Sequence, residues 1–340
     1  MTEAEIQQLV DGGELPNGRR SEELISTHIS WVLLTADRVY KIKKPVKMSF
    51  LDFSSLELRK YYCEEELRLN QRLTDGVYLD VLPIYNQEDT WSIGKGEGEI
   101  KDYAVEMIRL DNDREMDVLL EQGEVTADHI SSIADILANF HKECEIIHGQ
   151  VSARSIWEDF RDLSNHRAFI RSHFSAGNAD LMDRSMEWAE NYLKEHEELI
   201  ERRDREGFTR DCHGDLHSGN IFLIDRPVLF DCIEFNPHFR QIDVLNELAF
   251  FAMDLDGYGR EDLSEHLIAT YQMHHHVIRS KEEEKLYLFY KLYRANVRSK
   301  VHVIKCEQEI KSEQEGVDIT RVSGYWKSYL EYFEKLKADR

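Results

Sequence analysis

His213-Gly214-Asp215-Leu216-His217-Ser218-Gly219-Asn220 runs into the apolar stretch Ile221 to Ile224 and then, past Asp225-Arg226-Pro227, into Val228-Leu229-Phe230-Asp231. An acid, an amide five residues later and a second acid after a short apolar strand are the parts that metal-assisted phosphoryl transfer needs. On this reading Asp215 orients and deprotonates a hydroxyl, while Asn220 and Asp231 together hold Mg²⁺ against the phosphates of ATP.

Upstream of this stretch the chain is strand-rich. Residues 3–11 have helical periodicity and predict a short exposed helix. Ile29 to Leu34 and Arg38 to Lys43, separated by Thr35-Ala36-Asp37, read as a hairpin. Pro45 closes the second strand, having no amide hydrogen to give a ladder. Residues 54–73 predict a helix capped by Ser54 or Ser55, with Leu56, Leu67, Leu69 and Leu73 as apolar positions. Strands follow near Val81–Tyr85 and Thr90–Ile93, and Tyr103–Ile108 comes after the turn Gly94-Lys95-Gly96-Glu97-Gly98. That turn lacks the GxxxxGK[ST] pattern and a following helix, so it reads as a hairpin turn rather than a phosphate cradle.

Beyond residue 108 the chain is nearly all helical, over 112–121, 126–143, 155–172, 179–203, 239–253, 262–278, 281–311 and 321–337. The exception is 208–235, where short apolar runs flank the motif. The order predicts an α+β, two-lobed kinase layout: a small antiparallel-sheet lobe over 1–108 for nucleotide, and a helical lobe over 109–340 with the catalytic loop and acceptor site.

Composition narrows the function further. With 340 residues, 41% hydrophobic, 10% aromatic and only 5 prolines, the chain predicts a folded protein with substantial cores. No run of about 18 apolar residues occurs, so a membrane span is not expected. The N-terminal MTEAEIQQLVDGGELPNGRR lacks the apolar core of a signal peptide, which predicts a cytoplasmic location. Cys63, Cys144, Cys212, Cys232 and Cys306 are odd in number and form no CxxC pair, against a disulfide framework or a zinc site. A formal charge of −23 repels nucleic acid and anionic lipid. Residues 215–260 alone hold eight acids against three arginines. Such a surface suits a cationic or polyhydroxylated substrate, or serves only solubility.

The strings Thr27–Ser30 (THIS), Val39–Val46 (VYKIKKPV), Phe50–Phe53 (FLDF), His213–Ile221 (HGDLHSGNI) and Phe230–Phe235 (FDCIEF) together resemble the aminoglycoside phosphotransferase-like kinases, part of the wider protein-kinase-like fold. The resemblance spans most of residues 25–260. It is greatest to a bacterial branch in which a P-loop kinase domain is often appended at the C-terminus; no such domain is expected within these 340 residues. It implies an ATP- and Mg²⁺-dependent phosphotransferase acting on a hydroxyl of a small molecule. Asp215 is then the base, Asn220 its support and a Mg²⁺ ligand, and Asp231 the metal-bridging acid that corresponds to the Asp of DFG. Glu234 is open to a role at substrate or metal, or in a structural salt bridge.

The phosphate lysine is expected on the second hairpin strand. Lys41 and Lys43 are two apart and share a face; the family pattern favours Lys41, with Lys43 as runner-up. Glu66 on the following helix is the expected ion-pair partner. By order along the chain, backbone groups of Glu106, Met107 and Ile108 meet the adenine edge. No Gly-rich loop precedes Lys41, which leaves Thr27-His28-Ile29-Ser30 to cover the phosphates. His213 and His217 lie four apart, but a Gly between them and a loop context argue for His213 as a brace of the loop rather than a zinc ligand. Arg240 and Asp243 are expected to tie the helix at 239–253 to the catalytic loop, and Tyr287, Tyr290, Tyr293 and Trp326 to be core.

Two alternatives accompany this reading. A Ser/Thr protein kinase is disfavoured by the missing DFG-to-APE activation segment, and a non-catalytic nucleotide-binding regulatory module by the presence of Asp215, Asn220 and Asp231 together.

Overall fold

The computed structural model describes residues 1–88, 90–311 and 317–338. In chain order the elements are α1 (Glu3–Gly12), β1 (Glu23–Ser26), β2 (Ser30–Leu34), β3 (Arg38–Lys43), α2 (Leu56–Asn70), β4 (Tyr78–Gln87), β5 (Thr90–Ile93), β6 (Glu99–Ile108) and α3 (Met116–Glu121). Then come α4 (Ala127–Glu143), α5 (Ala153–Phe160), α6 (Arg167–His173), α7 (Ala176–Glu195), α8 (Glu197–Arg205), β7 (Thr209–Asp211), β8 (Ile221–Phe222) and β9 (Val228–Leu229). The chain closes with α9 (Pro237–Arg240), β10 (Gln241–Asp243), α10 (Val244–Gly257), α11 (Glu261–His274), α12 (Lys281–Lys311) and α13 (Thr320–Ala338). They form two compact units: Met1–Leu119 with Gly219–Phe239, and Leu120–Ser218 with Arg240–Arg340.

The first unit is built on an antiparallel six-stranded sheet in the order β1-β2-β3-β6-β4-β5. The β2–β3 hairpin pairs Val32 with Lys41 and Ser30 with Lys43, so alternation puts both lysines on one face. Trp31, Tyr40, Ile42 and Ala104 belong to the core of the other face. Ser55 caps α2 by accepting the N–H of Leu58, and α2 buries Glu66, Leu69 and Asn70.

Three expectations are corrected in this unit. The first helix is not simply exposed: Ile6 and Leu9 of α1 are buried in the sheet's core. A strand absent from the sequence reading, β1, adds to β2, so residues 27–29 form a hairpin tip. The segment Gly94–Gly98 is not a hairpin turn, because β5 lies at the sheet edge beyond β4 and the chain must pass β4 to reach β6. Glycine is required there at Gly98, with φ +102° and a would-be Cβ only 2.4 Å from the Asn86 carbonyl oxygen.

The second unit is helical around α10, which is buried on every side from Val244 to Leu255, as a central core helix should be. Helices α11 and α12 pack on it, and α13 packs on α12. The expected helix over 239–253 begins only at Val244. Before it, β10 pairs antiparallel with β7, and Asp243 caps α10 by accepting the Leu245 N–H. Tyr290, Tyr293 and Trp326 are buried. All five cysteines are buried, and none pairs with another among the described residues. No helix among the described residues is long and apolar enough to cross a membrane.

Candidate active site

In the first unit, Lys41 and Lys43 converge on one acid of α2. Lys41 Nζ is 2.8 Å from Glu66 Oε1 and 2.5 Å from Asp231 Oδ1. Lys43 Nζ is 2.6 Å from Glu66 Oε2 and also pairs with Glu234. The two lysines differ in exposure: the Lys43 side chain is 1% exposed, that of Lys41 15%. Burial alone would raise the Glu66 pKa, but the two ammonium groups outweigh it and bring it to about 2. Burial drives the Glu234 carboxyl upward, with Glu66 adding to that push against the pull of Lys43. Glu234 is thus an ion-pair partner of Lys43, as one of its two expected roles required.

A short hairpin lies between Asn220 and Asp231 in the chain. Strands β8 and β9 pair Ile221 with Leu229 and Phe222 with Val228, and Phe230 N–H donates to the Asn220 carbonyl at 3.0 Å. Asp231 follows at φ +64°, a left-handed conformation that costs a non-glycine residue about 1–3 kcal/mol and clusters at functional sites. Asn70, one turn after Glu66 on α2, holds the next peptide by accepting the Cys232 N–H at 2.9 Å. The donor set of Asn220 and Asp231 consists of hard oxygens, which fits Mg²⁺ and leaves coordination positions for waters and phosphate.

The structure commits other expected contacts internally. The Thr27 hydroxyl donates to the Ser30 carbonyl at 3.0 Å and accepts the Ser30 N–H, closing the β1–β2 turn. Glu106, Met107 and Ile108 end β6, paired with Tyr40, Val39 and Arg38. The Ile108 and Arg109 N–H groups donate to the Val77 and Asp37 carbonyls.

In the second unit, Asp215 follows β7 in a loop braced by α10. Glu247 Oε1 accepts the N–H of His213 at 2.8 Å and of Gly214 at 2.7 Å. Its Oε2 bonds His141 Nε2 at 2.6 Å, and His141 Nδ1 bonds the Tyr271 hydroxyl at 2.8 Å. His141, Cys212 and Glu247 lie within 4.8 Å of one another; these hydrogen bonds make Glu247 and His141 a brace for the loop. Fully buried, His213 accepts the Asp215 N–H at Nδ1 (3.3 Å). Asp254 accepts the Ser218 N–H at 2.7 Å. Arg240 pairs with Asp211 of β7, and Asp243 with Arg203 of α8. Burial opposes ionisation of Asp215, yet His217, 3.5 Å away, together with Arg298 and His213 holds its pKa well below the usual carboxylate range.

Half of the eight acids of 215–260 do not reach the surface. Glu234, Asp243, Glu247 and Asp254 are buried, each with an internal partner. Asn70, Glu247, His141 and Arg298 escaped the sequence reading. For Asn70 the signal was available, since an amide four residues after Glu66 lies on the same helix face.

No family model matches this chain. Uncharacterized proteins of Mycobacterium tuberculosis and Mycobacterium bovis are 32% identical over 292 residues, 83% of this chain and 55% of their own length. The chain thus spans about half the length of the curated relatives it matches. Among solved structures it is similar to choline kinase from Cryptosporidium parvum (TM-score 0.56, 9% identity, 96% of this chain and 94% of that one). It is similar as well to Plasmodium vivax ethanolamine kinase (0.53, 12%, 94% and 84%) and to a glucosamine kinase in complex with glucosamine, ADP and inorganic phosphate (0.53, 11%, 95% and 82%). At such identities the likeness is one of architecture, and it agrees with the sheet and helices described above. The chain therefore has the α+β, two-lobed protein-kinase-like fold, with an antiparallel-sheet N-lobe and a mostly helical C-lobe.

Proposed function

We propose that this protein transfers the γ-phosphoryl group of ATP to a hydroxyl of a small molecule. The observation that carries the proposal is the ion-pair chain Asp231–Lys41–Glu66 on a kinase-like fold. Solved structures of similar fold bear the names of small-molecule kinases, which supports the same chemistry here.

In this reading Lys41 binds phosphate, because it is the more exposed lysine and already touches Asp231. Lys43, clamped between Glu66 and Glu234, fixes the acid that orients Lys41. Asn220 and Asp231 hold Mg²⁺, which supplies charge neutralisation on the phosphates when bound. Asp215 stays ionised and accepts a hydrogen bond from the acceptor hydroxyl. As the hydroxyl oxygen bonds to the γ-phosphorus, the bond from that phosphorus to the bridging oxygen breaks, ADP leaves and the proton passes to Asp215. A carboxylate held this acidic positions the nucleophile and takes its proton late, as suits a loose transition state. The adenine is assigned to the end of β6, around Glu106 to Ile108. Since the Ile108 and Arg109 N–H groups are spent on Val77 and Asp37, the chain from Leu110 onward is assigned to bond its edge.

The test is a phosphotransfer screen of pooled metabolites, wild type against Asp215→Asn, with products identified by mass. The wild type should yield a product 80 Da heavier than its acceptor, by about the mass of HPO₃ gained in a phosphoryl transfer, and the variant should not. Near-normal transfer by Asp215→Asn would refute the assigned base; ATP binding with no transfer across the panel would favour a regulatory module.

A further inference from the structure

Helix α12 sets Arg294, Arg298 and His302 one turn apart on a single stripe, running away from the catalytic loop. Arg294 is engaged at the loop end. It donates to the Gly214 carbonyl at 3.3 Å and to Asn246 at 2.7 Å, and lies over the Phe250 ring at 4.7 Å. One turn on, Arg298 donates from Nη2 to the Tyr325 hydroxyl at 3.3 Å and lies over that ring at 5.1 Å. Its Nε is buried with no hydrogen-bond partner among the described residues. On the next turn His302 stacks on Tyr325 at 5.3 Å, and its Nε2 is buried and likewise lacks a partner. Tyr325 belongs to the same structure as the loop: its hydroxyl donates to Asp254, which holds the Ser218 N–H.

Buried donors without partners are costly and rare, and an arginine cannot escape by deprotonating. The carboxylates nearby are already engaged. Asp254 is 3% exposed and accepts a hydrogen bond on each oxygen, while Asp215 has His217 at 3.5 Å and the reacting hydroxyl to receive. What Arg298 Nε lacks is an acceptor. An ammonium would meet the guanidinium as a like charge, whereas a carboxylate or phosphate would satisfy it, and by two parallel bonds. Burial, with Arg298, Arg321 and Lys305, brings the His302 pKa down to about 3, so its ring is neutral near pH 7 and offers a hydrogen bond rather than a second charge. That a chain of net charge −23 places arginines beside its proposed catalytic base sharpens the contrast.

We infer that the acceptor molecule carries an anionic group, a carboxylate or a phosphate, that binds Arg298 while its hydroxyl meets Asp215. This rests on the phosphotransferase reading, and it departs from the amino alcohols and amino sugar in the names of the similar structures.

The test uses the whole protein with four probes: glycerate (carboxylate), a pentose 5-phosphate (phosphate), ethanolamine and glucosamine (cationic). Binding is measured by calorimetry and transfer by radiolabelled ATP, for wild type, Arg298→Leu and Arg298→Lys. One anionic probe should bind at least tenfold more tightly than both cationic ones, and which of the two it is tells carboxylate from phosphate. Arg298→Leu should lose that preference and Arg298→Lys recover part of it. Should Arg298→Leu fail to fold, the wild-type ranking and Arg298→Lys decide. Cationic probes binding as well as the anions, or better, overturn the inference; if they are also phosphorylated, the kinase reading survives. Absence of ATP binding overturns the kinase reading, while the anion ranking still tests the Arg298 site.

Discussion

Lys41 of β3 places its Nζ 2.5 Å from Oδ1 of Asp231, a residue 190 positions later in the chain. The pair is half open to solvent on the acid's side, where Asp231 is 40% exposed, whereas Lys43 is sealed between two buried acids. The two lysines should therefore fail in different ways. Lys41→Met removes the proposed phosphate ligand, so kcat/KM for ATP should fall by about 100-fold or more with a modest change in stability. Lys43→Met strands Glu234 in the interior, leaves Glu66 with Lys41 alone, and should cost about 3–5 kcal/mol of stability. Urea unfolding beside ATP titration separates the two; equal damage by both measures in both variants would remove the division of labour.

The pH dependence of stability follows from Glu66. Its pKa is about 2 in the folded protein against an ordinary 4.5, so the stability it contributes is present above pH 4.5 and is lost as pH falls toward 2. At pH 7 the contribution is on the order of 3 kcal/mol, shared with the lysines it binds. Glu234 works the other way, since its raised pKa favours the folded state at lower pH. Urea midpoints of wild type and Glu66→Gln should differ most at neutral pH and converge as pH falls from 4.5 toward 2. A gap constant across that range would mean that Glu66 is not held by its charge.

How much of this was legible depends on how far apart in sequence the partners lie. The β2–β3 hairpin could be read because its strands alternate and Pro45 stops the second. β1 could not, because Glu23–Ser26 is a mostly exposed edge strand of four residues with no alternation to show. The three residues of β10 are too few to display a period, and the apolar run after them carried them into a helix. Among the candidate site residues, Asp215, Asn220 and Asp231 are proposed from their spacing alone. Glu247 is 34 residues from the amide it braces, and Asn70 162 residues from the Cys232 amide it holds, so only tertiary structure identifies those partners.

Glu247 gives a test of that brace. One oxygen takes two loop amides and the other the buried ring of His141. Burial would keep Glu247 protonated, but the His141 contact and the Gly214 N–H prevail and lower its pKa, so it is a carboxylate in function. Glu247→Ala leaves two buried amides and an imidazole unsatisfied, which should cost about 3 kcal/mol or more. Glu247→Gln keeps an acceptor for the amides and should lose less. Because the loop carries Asp215 and not the proposed phosphate ligands, Glu247→Gln should lower kcat more than it changes KM for ATP. A change confined to KM for ATP would show that the brace does not act through Asp215.

Asp231 carries both strain and charge, and three substitutions separate them. Its φ of +64° suits glycine and is tolerated by Asn better than by Ala. If backbone strain matters, Asp231→Gly and Asp231→Asn should be more stable than Asp231→Ala by about 1 kcal/mol, although none keeps the charge that pairs with Lys41. If only charge matters, the three should be equally stable. Function should sort differently. All three lose the carboxylate proposed to hold Mg²⁺, so turnover should drop by at least about 100-fold in each. Asp231→Asn, which keeps one oxygen at the same place, should regain some activity as Mg²⁺ is raised, and Asp231→Gly should not. Turnover and Mg²⁺ dependence like the wild type's in Asp231→Asn would place the metal elsewhere and leave the left-handed backbone at residue 231 as a structural feature of the hairpin.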